Sequence, residues 1–295
     1  MRLRSLVKVI CGEERPKQFC PLVEGRTLLA QTLRRAEMTI PREQLLVSVA
    51  GYHCEWYMRE AGLLPNQLIV QPANRGTAPA VLHSALSIAR IDEDALVAIL
   101  PSDHHYSNEP LFTAALESAF LTAAKYPDAV VLLGAQADHP EIEYGWIELG
   151  EPCRQHDELF EVLAFREKPS FETARKLWLN QGSVWNTFVM VGRVKAFLEM
   201  FRDALPELTT DLATATPWEG SQTHIEHSLY ERLPFTDFSK QVLSAQTKRL
   251  LVLRLGDVGW CDLGGPDRVL AMFSPDAPPP WMAEWRRSTV AEVMA

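Results

Sequence analysis

The sequence predicts an α/β fold in which helices cover a largely parallel sheet. Three observations predict it. Apolar runs of strand length alternate with helical periodicity from about residue 27 to about residue 131. The run Ala95-Leu96-Val97-Ala98-Ile99-Leu100 is continuously apolar, as in a strand covered on both faces. A chain of 295 residues, 47% of them hydrophobic, is long enough to bury a substantial core.

The elements follow in order. Thr27 to Met38 reads as a helix, with Leu28, Leu29, Thr32 and Leu33 on one face and Arg34-Arg35 on another. Leu45 to Val49 is an apolar run of strand length, His53 to Ala61 is helical, and Leu68-Ile69-Val70 is a strand. Thr77 to Arg90 reads as a helix with Leu82, Leu86 and Ala89 on its buried face, Thr77 as its N-cap and Pro79 in its first turn. After the strand Ala95–Leu100, a helix from about Leu111 to Lys125 leads into the strand Ala129–Leu133. Strand–helix–strand alternation implies right-handed crossovers and a doubly wound layer. The second half is more mixed: strands at Tyr144–Leu149, Leu159–Arg166 and Val184–Val191, a helix at Phe171–Leu179, further helices to about Arg232, and a strand at Leu250–Leu253. The tail around Pro278-Pro279-Pro280-Trp281 reads as a closing segment. No repeat or low-complexity linker divides the chain, so one domain is expected over 1–295.

A net charge of -9 argues against a duplex nucleic-acid binder, because no basic face neutralises phosphates. The five cysteines (Cys11, Cys20, Cys54, Cys153 and Cys261) contain no CxxC pair, so neither a zinc knuckle nor a redox dithiol is signalled. Free thiols suit a reducing compartment, and a cytoplasmic location is expected. Lys8 interrupts the apolar run after Met1, unlike a signal peptide, and no stretch approaches the ~20 apolar residues of a membrane span.

Asp103 follows the buried strand at Leu100-Pro101-Ser102-Asp103, where ligands of open α/β sheets bind, and a carboxylate there is placed to hold Mg²⁺. For an isolated Asp after a strand, a helix N-cap or turn aspartate is the favoured reading. Asp262 lies in the glycine-flanked turn Gly259-Trp260-Cys261-Asp262-Leu263-Gly264-Gly265. Lys17 and Lys168 each stand beside a proline, point charges suited to phosphate, although solvated surface lysines are commoner. In Asn74-Arg75-Gly76-Thr77-Ala78, helix-start chemistry explains Thr77 and leaves Asn74, Arg75 and Gly76 for a ligand edge. His224 and His227 flank Glu226 without forming a metal motif and read as helix-surface residues.

The order of these motifs is more specific than any one of them. Arg15-Pro16-Lys17-Gln18-Phe19, Asn74 to Ala80, Pro101-Ser102-Asp103-His104, Tyr144-Gly145-Trp146-Ile147, Glu167-Lys168-Pro169, Trp185-Asn186-Thr187 and Gly259 to Gly264 together resemble the mannose-1-phosphate guanylyltransferase family, over nearly the whole chain. The resemblance implies a Rossmann-like nucleotidyltransferase fold, a mixed, mostly parallel sheet flanked by helices. It implies a nucleotide-binding half over about 1–135 and a sugar-binding half over about 136–275. The reaction implied is guanylyl transfer from GTP to mannose 1-phosphate, giving GDP-mannose and pyrophosphate. By the same resemblance Asp103 and Asp262 hold Mg²⁺, Lys17 meets the triphosphate and Lys168 the sugar phosphate. Gly145, Glu167 and Asn186 line the sugar pocket, and the Asn74–Ala78 loop faces guanine. A uridylyl- or thymidylyltransferase acting on glucose 1-phosphate is the alternative within the class, and a homodimer is left open.

Family members open with a strand and a glycine-rich loop, GGxGxRLxPL, whose arginine is the candidate for stabilising pyrophosphate. Here Met1 stands one residue before Arg2-Leu3, so the expectation is a chain without that strand and loop. Its neighbours in the sheet would then carry unpaired backbone groups, and Arg2 would lie in a frayed terminus. Ser5 replaces the usual proline and Cys261 the usual serine. A longer active enzyme is one explanation, and a shortened paralogue that binds nucleotide sugar is the other. Retention of both aspartates and both lysines favours the first.

Overall fold

The computed structural model describes residues 3–23, 25–60, 63–153, 156–215, 227–274, 276 and 278–294. Helix α1 (Arg4–Cys11) precedes the Lys17–Phe19 turn and α2 (Leu28–Glu37). The Thr27 hydroxyl caps α2 by accepting from the Ala30 N–H at 3.0 Å. Strand β1 (Val47–Ala50), a short α3 (Cys54–Tyr57), β2 (Leu68–Gln71), α4 (Thr77–Ile91) and β3 (Leu96–Ile99) follow. The helix expected over 53–61 is shorter, Cys54–Tyr57, and a tighter 3₁₀ turn over Gly51–His53 precedes it.

The Asp103 loop leads into β4 (His105–Tyr106), α5 (Glu109–Lys125) and β5 (Val130–Gln136). Next come β6 (Gly145–Pro152), β7 (Leu159–Glu167), α6 (Phe171–Leu179) and β8 (Ser183–Arg193). Helices α7 (Val194–Ala204), α8 (Pro206–Ala215) and α9 (His227–Arg232), β9 (Leu250–Arg254), β10 (Trp260–Cys261), α10 (Pro266–Leu270) and α11 (Trp281–Met294) complete the order. Three helices were not read in the sequence: α1, whose Leu6 and Val7 pack with Leu263 and Val269, the short α10, and α11 in the tail.

The main sheet has six strands in the order β3-β8-β5-β9-β7-β6. Strands β3, β5, β9 and β6 run one way and β7 and β8 the other, so most strands share a direction. The ladders nevertheless correct the expectation of a mostly parallel sheet. Only β5–β9 is parallel within this sheet, because β8 is inserted between β3 and β5 and is antiparallel to both. Strands β1 and β2 pair in parallel as a separate sheet.

Alternation along β5 divides the core. Val130 and Leu132 face the helices α4 and α7, whereas Val131 and Leu133 face α5. The apolar run at β3, expected to be covered on both faces, forms the edge of the six-stranded sheet, and Leu96 is 37% exposed. Helix α4 also begins one residue earlier than expected. Gly76 occupies the cap position at φ 90°, and Thr77 is the first helical residue. The Thr77 hydroxyl turns away from its own helix to accept from the Phe238 N–H at 2.8 Å.

Candidate active site

The turn after β3 and the turn after β10 meet at one side chain. The Lys17 ammonium lies 3.0 Å from Asp103 Oδ2, donates to the Asp262 backbone carbonyl, and reaches the Leu263 carbonyl at 3.4 Å. The rigid Pro16–Phe19 turn aims the lysine there, with Phe19 buried beneath it. Leu263 holds φ at 50°, a left-handed conformation that folds the turn so that its carbonyl reaches the same ammonium.

Asp262 is the most heavily tethered carboxylate of the group. Its Oδ1 accepts from Arg268 Nη1 at 2.6 Å, from the Gly264 N–H at 2.8 Å and from the Tyr144 hydroxyl at 3.0 Å. Burial pushes its carboxyl up, but the Arg268 guanidinium and the Gly264 N–H prevail and hold it below the usual carboxylate range. Arg268 also donates to Glu141 and lies 4.5 Å over the Tyr144 ring. His104, beside Asp103, accepts at Nδ1 from the Trp260 indole at 3.2 Å. Burial lowers its pKa and favours the neutral ring, against the pull of Asp103.

Tyr144 joins this centre to a second pocket. Its carbonyl accepts from the Lys168 N–H at 3.2 Å, and its neighbour Gly145 pairs with Glu167 across β6 and β7. A Cβ on Gly145 would meet Glu167 Oε2 at 2.9 Å and Asn186 Cβ at 3.3 Å, so glycine lets the three residues converge. Asn186 Oδ1 accepts from the Phe188 N–H at 3.1 Å, and Phe188 itself has φ 62°. Burial first, then Asp237, pushes the Glu167 carboxyl up to about 7 against the opposing charge of Lys168. Lys168 Nζ lies 3.8 Å from Glu167 Oε1 and is well exposed.

Asp237 belongs to the segment that clasps the 74–78 loop. Thr236 donates to the Arg75 carbonyl at 2.9 Å and accepts from the Ala78 N–H at 3.0 Å. Asn74 Oδ1 accepts from the Gly76 N–H at 3.0 Å. Any Cβ on Gly76 would lie 2.3 Å from the Thr236 carbonyl oxygen. The loop is thus linked through Thr236 and Asp237 to Glu167, and through Gly145 and Tyr144 to Asp262.

The structure therefore brings Lys17, Asp103 and Asp262 together, and gathers Gly145, Glu167, Asn186 and Lys168 beside them. Arg2, His224 and Glu226 lie outside the described residues, while His227 pairs with Glu231 at 3.5 Å on the surface of α9. Sequence reasoning gave no role to Tyr144, Glu141, Asp237 or Arg268. Arg268 and Glu141 meet across a separation of 127 residues, which no local pattern signals.

Asp103 and Asp262 are hard oxygen donors, and among the described residues Asp262 Oδ2 accepts no hydrogen bond. No group of three or more His, Cys, Asp or Glu side chains is assembled among the described residues. That donor set fits Mg²⁺, which is held by one or two carboxylates with water and substrate phosphate completing its shell. No described helix is long and apolar enough to cross a membrane.

Comparison with known proteins gives the family. The Nucleotidyl transferase family matches residues 12–277. The xanthan biosynthesis protein XanB of Xanthomonas campestris pv. campestris (strain B100) is 28% identical over 90% of this chain and 56% of its own length. A mannose-1-phosphate guanylyltransferase of Escherichia coli is 25% identical over 85% of this chain and 55% of its own. The chain thus spans about half the length of these curated relatives. Among solved structures, a Thermus thermophilus protein described as mannose-1-phosphate geranyltransferase superposes with a TM-score of 0.75 at 28% identity, covering 88% of this chain and 73% of that one. With 12–277 matched and the fold shared, the chain belongs to the nucleotidyl transferase family.

Proposed function

We propose that this chain transfers a guanylyl group from GTP to mannose 1-phosphate, releasing pyrophosphate and forming GDP-mannose. The observation that carries the reading is the convergence of Lys17, Asp103 and the Asp262 turn at one point, next to the Gly145–Glu167–Asn186 pocket. In the reaction, an oxygen of the sugar phosphate attacks the α-phosphorus of GTP in line, and the bond to the β-phosphate oxygen breaks as pyrophosphate leaves. No covalent intermediate with the protein is needed, so the protein positions the reactants and neutralises charge.

Asp103 and Asp262 would hold Mg²⁺, which when bound neutralises phosphate charge as a Lewis acid. Lys17 supplies a fixed cation to the triphosphate, and Arg2 is assigned to the departing pyrophosphate. Lys168 is the cation for the sugar phosphate, where its exposure leaves it free to swing. Glu167 and Asn186 orient the sugar hydroxyls, with Gly145 leaving room for the ring. Asn74, Arg75, Gly76, Thr77 and Ala78 form the side that faces guanine. The nucleotide is accordingly assigned to about 1–135 and the sugar to about 136–275, in a cytoplasmic enzyme.

Pyrophosphate release tests this directly, with Mg²⁺, mannose 1-phosphate and each nucleoside triphosphate in turn. Turnover with GTP alone is expected, and turnover with UTP or dTTP on glucose 1-phosphate would transfer the assignment to that branch. The separation of β1–β2 from the main sheet favours one second reading, a chain that binds nucleotide sugar without turning it over. A folded sample that binds GDP-mannose and releases no pyrophosphate would select it.

A further inference from the structure

Two thiols face each other at the end of α1. Gly12, at φ 73°, ends that helix in the left-handed conformation and donates its N–H to the Lys8 carbonyl at 2.8 Å. The chain then turns back through Pro16, and the Cys20 N–H donates to the Lys17 carbonyl at 3.0 Å as the Lys17–Phe19 turn closes. This return brings Cys20 Sγ to 3.0 Å from Cys11 Sγ, nine positions away in the chain. A disulfide is ~2.05 Å long, so only about 1 Å of movement separates this contact from a covalent bond. Leu6, Leu22 and Leu263 belong to the same apolar cluster as the two cysteines and hold the pair in place.

The two sulfurs differ in the way that reversible oxidation requires. Cys11 is half-buried and reachable from solvent, whereas Cys20 is fully buried. The Cys20 thiol donates to Cys11 and draws it below the ordinary thiol value, against burial, and the Arg15 guanidinium acts in the same direction. The same hydrogen bond, and then burial, pushes Cys20 up. A thiolate within reach of solvent, with a second thiol in contact to resolve it, is the arrangement of a redox-sensing cysteine. Cys54 is more exposed than either, but no second thiol lies within hydrogen-bond reach of it among the described residues.

We propose that Cys11 and Cys20 form a redox modification site, closing a reversible disulfide when the chain meets hydrogen peroxide. The Cys11 thiolate attacks one peroxide oxygen, the O–O bond breaks, and the leaving hydroxide takes up a proton to become water. Cys11 is then a sulfenic acid. The Cys20 thiol loses its proton and attacks the Cys11 sulfur, so that the S–S bond forms and the S–O bond breaks with loss of a second water. The two sulfurs together give up two electrons, which reduce the peroxide to water. Glutathione thiol reverses the bond by thiol–disulfide exchange. The bond ties the end of α1 to the residue that closes the Lys17–Phe19 turn, so oxidation acts on the loop that carries Lys17. None of these steps needs nucleotide, metal or turnover, and the site stands or falls apart from the guanylyl-transfer reading.

The test treats the whole chain, reduced and desalted, with hydrogen peroxide at neutral pH, and blocks the remaining thiols with iodoacetamide over time. Trypsin should then leave residues 9–17 joined to residues 18–26, as read by mass spectrometry. Cys11 should be consumed at least ~10-fold faster than the more exposed Cys54. Cys11→Ser should abolish the link, and Cys20→Ala should leave a Cys11 sulfenic acid that dimedone traps. The rate and the linkage are read on the parent chain, so they decide the matter even where a variant fails to fold. Reduced glutathione should reopen the bond, and amide exchange across 12–20 should slow on oxidation and recover on reduction. The proposal is overturned by a Cys11 that reacts no faster than Cys54, by a link to the 255–268 peptide that carries Cys261, or by a bond that glutathione leaves intact. Unchanged exchange across 12–20 would overturn its action on the Lys17 loop.

Discussion

At the scale of single residues, Glu167 is the group whose chemistry depends most on its surroundings. Its side chain is 15% exposed, and burial beside Asp237 moves its carboxyl up to about 7. A carboxyl whose folded value lies above its unfolded value makes the folded state bind protons more tightly. The stability this contributes is present below the unfolded value of ~4.3 and is lost as pH rises to about 7. Glu167→Gln should therefore hold its stability between pH 5 and 7.5 where the parent loses on the order of 1–3 kcal/mol, read from urea midpoints. Equal slopes for both proteins would remove the shift. Asp103 is tested by turnover: Asp103→Asn should lower pyrophosphate release at least ~100-fold with an unchanged circular dichroism spectrum, the scale at which loss of one positioned electrostatic group is felt. Normal turnover would take Asp103 out of the chemistry.

At the scale of elements, the start of α4 shows how a ligand loop and a helix cap share residues. Gly76 holds φ 90° with the Thr236 backbone pressed against it, and Thr77 ties the same segment through Phe238. Gly76→Ala must move Thr236 or unwind the cap. It should destabilise the protein by ~1–3 kcal/mol in urea unfolding, the range for a residue forced into a sparsely populated backbone region. It should also disturb Glu167, because Thr236 adjoins Asp237. An unchanged midpoint would mean that the 234–238 segment yields freely. Thr77 looks like an N-cap in the sequence because its residue type is the right one. The structure uses that hydroxyl for a tertiary contact 161 residues away and gives the cap to glycine.

At the scale of the whole molecule, the principal core contains an ionisable group without a hydrogen-bond partner. His83 on α4 is fully buried, both ring nitrogens lack a partner, and burial, reinforced by Arg90, lowers its pKa to about 4. The unfolded chain takes up a proton near 6.5, whereas the folded chain resists until about 4. Its contribution to stability is complete above about 6.5 and falls as pH drops from there to about 4, by on the order of 3 kcal/mol. His83→Leu should lose less stability than the parent between pH 6.5 and 4.5 in urea unfolding. A parallel decline in both would show that the ring reaches water before the fold opens.

Local pattern determined much of this protein. The helix over 171–179, the strand over 250–253, the α/β alternation before residue 131 and the family motifs are legible because periodicity and residue type act within a few positions. The aspartates and lysines were nameable for the same reason: each stands beside a proline or glycine, or at the end of an apolar run. The tertiary structure alone decided the rest. Lys17 meets the Asp262 turn across 245 residues, and Arg268 clamps that aspartate to Glu141 from a helix that carries no motif. Whether Ala95–Leu100 lies inside a sheet or at its edge depends on which strand lies beside it. A strand's own residues specify its burial, but its neighbours are set by pairing between distant parts of the chain, and those contacts leave no local mark.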